Sequence, residues 1–139
     1  MGKKLVLSTL VAFGLLGSIA SAADNSNEVL KLNMYKLNNH MIQLQAAFIM
    51  GDKEDALRAA TALDEESQAL FKHESNIKKM LPDDKRFKSR IAITSAAMIH
   101  EEIATIKESM EDARRDTAQN AYLNLQRACL RCHNLVRDW

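Results

Sequence analysis

The sequence predicts an all-α fold, an antiparallel four-helix bundle, on three observations. Beyond residue 22 the chain has one glycine, Gly51, and one proline, Pro82; breakers this scarce favour long helices joined by short turns. Apolar residues recur every three or four positions through four stretches, the period of a helix that buries one face. No stretch reads as a strand.

The first helix is expected over about Asn27 to Met50, with Asn25 as candidate cap and Glu28 three residues on. Its apolar seam is Leu30, Met34, Leu37, Met41, Leu44 and Phe48, spaced 4-3-4-3-4. Gly51 ends it, and Asp52 with Asp55 can start the next. The second carries Ala56, Ala60, Leu63, Leu70, Ile77 and Leu81 up to Pro82, with Ser75-Asn76 as a point of weakness in its last turns. The third follows Asp83-Asp84, runs to about Arg115, and shows Ala92, Ala96, Ile99, Ile103, Ile106 and Met110 on one side. The fourth spans about Asp116 to Arg137, with Ala118, Tyr122, Leu125, Cys129, Cys132, Val136 and Trp139 on its seam. Four such helices joined by turns of a few residues read as an antiparallel bundle.

Residues 1–22 have the three-part layout of a cleaved signal peptide. Lys3 and Lys4 precede the apolar run Leu5–Ile19, and Ala20-Ser21-Ala22 supplies the small-residue end, with cleavage expected after Ala22. The run is short for a bilayer span, which needs about 20 residues. An exported domain over 23–139 follows, with the periplasm as its expected compartment. That length suits one domain. It carries 17 basic against 18 acidic side chains, a net of −1 with neutral histidines. The balance gives no broad field to recruit nucleic acid or an anionic membrane, and no stable membrane insertion is expected after cleavage.

Near the end stands Cys129-Leu130-Arg131-Cys132-His133, the C-x-x-C-H pattern of covalent haem attachment. Two thiols three apart on a helix form thioethers to the haem vinyl groups, and the adjacent imidazole binds the iron. One haem c is therefore expected, on Cys129, Cys132 and His133. A redox dithiol would be expected beside a βαβ pattern, and a cysteine-rich zinc site needs thiols the chain does not have. Both cysteines occupy core-seam positions, so the haem should be clasped within the bundle.

This layout resembles cytochrome c′ and its methionine-ligated, low-spin relatives. The family places a basic residue four positions after the haem histidine, and Arg137 follows His133 at that spacing; it is the candidate propionate contact. The family's first helix carries a residue over the distal face, often within Met-Lys-x-x-x-x-x-Met. Here Met34 and Met41 stand seven apart, with Tyr35 after Met34 and Leu30 where the family usually has an arginine. Lys31, next to it, is a candidate for the propionates. The resemblance further implies periplasmic redox partners and permits a homodimer through the first two helices.

Bundle geometry bears on the distal ligand separately. His133 lies ~9 Å from the chain end and Met34 ~10 Å into helix one, at about 1.5 Å per residue, so the two share a level. His40 and His100 lie at other heights, and His73 falls off its helix's seam. Met34 is thus the candidate distal iron ligand, although a methionine on a core stripe is more often packing. Tyr122 and Trp139 are candidates to border the haem, and Arg131 to face solvent.

The expected function is a one-electron carrier with six-coordinate iron. Its alternative is a five-coordinate, high-spin haem protein that binds nitric oxide or carbon monoxide. Enzyme chemistry is not expected: Asp64-Glu65-Glu66 and Glu101-Glu102 read as solvated faces. No histidine has a glutamate three residues before it, as a di-iron bundle would need.

Overall fold

The computed structural model describes residues 21–136, with side chains described over 28–134. The expected signal segment up to residue 20, Arg137 and Trp139 lie outside the described residues. Those described form an all-α domain of five helices in packed pairs, with no strand among them. The helices are α1 (Ser21–Met50), α2 (Lys53–Phe71), α3 (Glu74–Met80), α4 (Ser89–Glu111) and α5 (Arg115–Val136). A 3-10 segment, Asp83–Lys88, joins α3 to α4.

The turns after α1 and α4 have local causes. Gly51 ends α1 at φ 71°, the left-handed conformation that glycine enters without steric cost. Behind it, Asp52 N–H donates to Ala47 O at 2.9 Å, closing the helix end. Asp52 then caps α2, its Oδ1 accepting from Asp55 N–H at 2.9 Å. Between α4 and α5 the left-handed position is held by Ala113 (φ 58°), and Arg114 N–H returns to Ser109 O at 2.7 Å.

Three boundaries differ from expectation. Helix α1 already begins at Ser21, so Asn25, the expected cap position, lies within its span. The expected second helix is two, α2 and α3, parted at Lys72 and His73, where His73 is extended (φ −129°, ψ 119°). Ser75-Asn76, the expected weak point, lies inside α3. The bend lets Ile77 and Leu81 close a small core with Leu70 and Ala92, burial that offsets the broken helix. The expected third helix starts late, at Ser89, because the residues after Pro82 coil into the 3-10 segment, and it stops at Glu111.

Helix α1 packs on α2, α2 on α4, and α4 on α5. Leu44, Leu63, Ile103, Ile106 and Leu125 fill the main core, all essentially inaccessible. The smaller core lies toward the other end, where Leu30, Met34, Leu37 and Cys132 pack against it. Phe48, late in α1, meets Tyr122, early in α5, with ring centroids 5.5 Å apart. Met34 lies early in α1 and Cys132 late in α5, so these helices run in opposite directions.

Candidate cofactor site

A cleft of about 820 Å³ opens where α1 begins and α5 finishes, within the ~300–1,000 Å³ usual for small-molecule and cofactor pockets. Helix α1 lines it with one face: Leu30, Lys31, Met34, Tyr35 and Asn38. Those positions follow the three-to-four-residue repeat that aligns side chains on a helix. Phe71, Ile77, Met80, Leu81 and Pro82 make an apolar wall, and Lys85 and Ala92 complete it. Cys132 and His133 enter from α5.

Three residues expected at the site, Met34, Cys132 and His133, therefore share one cavity although about 100 positions separate the first from the last. Cys129 does not line the cleft. One turn earlier on α5, it is half-buried against the main core, and no disulfide joins the two cysteines. Burial, and then the neighbouring Cys132, push its thiol up to about 11, so it is protonated at neutral pH. Arg131 is exposed. Tyr122 packs on Phe48 and lines no part of the cleft; burial, then Cys129, push its phenol upward.

The other histidines stand apart from the cleft. His100 Nδ1 lies 2.8 Å from Asp64 Oδ1 and 3.1 Å from Gln68 Nε2, tying α4 to α2. His40 Nδ1 lies 3.5 Å from Gln43 Oε1. His73 is exposed before α3. Among the described residues, no cluster of three His, Cys, Asp or Glu side chains is placed to hold a metal ion.

The sequence reading passed over Lys85. Its side chain is only 14% exposed, with Nζ 4.0 Å from Asp84, although long cationic side chains normally keep the head in water. Its placement follows from the 3-10 segment, for which the charged run Asp83–Lys88 offers no periodic signal. Phe71, at the end of α2, and Met80, at the end of α3 after the bend at His73, line the cleft too, although neither stands on the expected seam. Lys31 was singled out beside Leu30 and does line the cleft.

Chemically, the cleft joins an apolar wall to an imidazole, a thioether and a thiol, with two lysines among its lining residues. Imidazole and thioether are ligand types for a metal, and lysines pair with anionic groups. No family model, curated protein or solved structure matches the chain. Among the described residues, no helix is long and apolar enough to cross a membrane.

Proposed function

We propose that the chain is a periplasmic mono-haem c-type cytochrome acting as a one-electron carrier, related in kind to the low-spin cytochromes c′. In this reading α1, α2, α4 and α5 form an antiparallel four-helix bundle around one covalent haem c. The observation that carries it is the cleft shared by Met34 with Cys132 and His133 of the C-x-x-C-H motif. Cys132 would hold the group as one thioether and the His133 imidazole and Met34 thioether would bind its iron, while Cys129, packed against the main core, would have to turn toward the cleft to form the second thioether. When bound, the group supplies a one-electron couple, and His/Met ligation raises its potential relative to other axial sets.

The rest follows from this chain's own side chains. Leu30, Phe71, Ile77, Met80 and Leu81 would pack on the bound group and displace water from it, which would strengthen electrostatic contacts there. Lys31, 2.9 Å from Glu28, and Lys85, 4.0 Å from Asp84, line the cleft and would neutralise acidic arms of the bound group, a role Arg137 would share. A homodimer belongs to the same reading, because Leu32, Tyr35, Ile42 and Ile49 leave an exposed apolar row along α1.

The half-buried packing of Met34 against the small core favours a second reading. There Met34 only crowds a five-coordinate iron that binds nitric oxide or carbon monoxide. Visible spectra of the periplasmically matured protein, oxidised, reduced, and reduced with carbon monoxide, separate the two. The carrier is expected to be low-spin in the ferric state and indifferent to the gas, and Met34→Ala should turn it high-spin. A spectrum unchanged in Met34→Ala removes Met34 as ligand, and a native high-spin spectrum that shifts with the gas selects the second reading.

A further inference from the structure

The charges of this chain nearly cancel in sum, but the fold sorts them along its length. One wall of the cleft comes from α3, the 3-10 segment and the start of α4. The stretch 72–90 that builds it carries seven basic and three acidic side chains. Lys31 lines the same cleft, and Arg131 lies exposed one residue before Cys132. The opposite end is where Phe48 meets Tyr122. There, residues 101–116 carry six acidic against three basic side chains, and residues 52–58 three against two. A chain with almost no net charge is thus a dipole, and the cleft lies at its positive end.

Part of the basic face is neutralised locally. Lys78 pairs with Glu74 at 3.0 Å and Arg86 with Asp83 at 2.7 Å. Lys72, Lys79 and Arg90 are exposed and in no ion pair among the described residues. On the same stretch of chain Phe87 is 77% exposed, with Lys88 Nζ 5.7 Å from its ring centroid. An exposed aromatic side chain on a stretch rich in cations has the make-up of a docking surface: aromatic contact for the core and charge for the rim.

We propose that this basic face, bordering the cleft, docks redox proteins through an acidic patch on the partner. The inference rests on the electron-carrier reading. A partner must approach the cleft to exchange an electron, and the dipole presents that end first to a negative surface. Each exposed ion pair formed would contribute little by itself; their joint field raises the encounter rate. An anionic lipid surface would meet the same charges, but it brings no electron donor or acceptor to the cleft.

The test uses holoprotein whose haem resists acid–acetone extraction, reduced and mixed with small oxidants at rising salt. One electron leaves the protein and converts anionic hexacyanoferrate(III) to hexacyanoferrate(II); a cationic tris(phenanthroline)cobalt(III) complex is the converse probe. The anion's rate constant is expected to fall ~10-fold or more between about 0.01 and 0.5 M salt, while the cation's rises. The variant Lys72→Glu/Lys79→Glu/Arg90→Glu, none of whose three positions lines the cleft, should reverse both trends with its absorption spectrum unchanged. Salt trends that are flat, or identical in wild type and variant, overturn the inference. So does binding to phosphatidylglycerol vesicles without a salt response of the electron-transfer rate. Absence of covalent haem would instead remove the electron-carrier reading, which separates the two failures.

Discussion

Glu74, at the first turn of α3, accepts a hydrogen bond from Ser89 Oγ at 2.9 Å and an ion pair from Lys78 at 3.0 Å. Those contacts, that of Lys78 foremost, hold its carboxyl below the ordinary glutamate value. A depressed carboxyl contributes stability that is present above its unfolded value and lost as pH falls through the folded one. Ser89→Ala should move the Glu74 titration upward in an NMR pH series and shrink the acid-side loss; an unmoved titration would show that Ser89 has no part in it. Met34 and Lys85 illustrate the other kind of residue. Met34 was legible because it stood on a seam with the right repeat and at the right height. Lys85 was not, because a lysine in a charged run has no feature that sets it apart until the backbone turns it toward a cleft.

Among the helix ends, Gly51 and Ala113 hold similar left-handed backbones, φ 71° and 58°, and one of them bears a Cβ. A left-handed conformation costs a non-glycine residue roughly 1–2 kcal/mol. Gly51→Ala should therefore destabilise by about 1 kcal/mol, for backbone reasons alone, since a Cβ there meets nothing within 4 Å. Ala113→Gly should stabilise by a similar or somewhat smaller amount, because the mutant's unfolded chain is more flexible. Urea titrations of both variants check the opposite signs. The turn at Gly51 was readable because glycine marks it. The break at Ala113, with no glycine or proline, was expected slightly late, at Arg115 and Asp116, and that at His73 only as a weak point at Ser75-Asn76; at His73 the gain comes from Ile77 and Leu81 joining Leu70 and Ala92.

Across the molecule, a main core and a small one share the stabilisation unequally. Leu125 is fully buried where α5 enters the main core, and Leu125→Ala should cost about 2–5 kcal/mol, read from the urea midpoint. The small core is thinner, because much of the space beside it is the cleft. Helices α1 and α5 meet through Phe48 and Tyr122 at one end and stand around the cavity at the other. The charge dipole belongs to this scale too. Composition alone reported balance; only the packing of α3 and the start of α4 beside the cleft gathers positive charge there.

Periodicity by itself determined the all-α class, the buried faces of the long helices, and the motif that places Cys132 and His133 near the end of the last one. These depend on the 3.6-residue repeat and on neighbours a turn apart, which a linear string records. Tertiary structure alone decided that the second expected helix breaks at His73, that Lys85 lines the cleft, that Cys129 turns to the main core while Cys132 lines the cavity, and that the charges separate by end. Each of these depends on which distant surfaces compete for the same burial, and no local repeat encodes that competition.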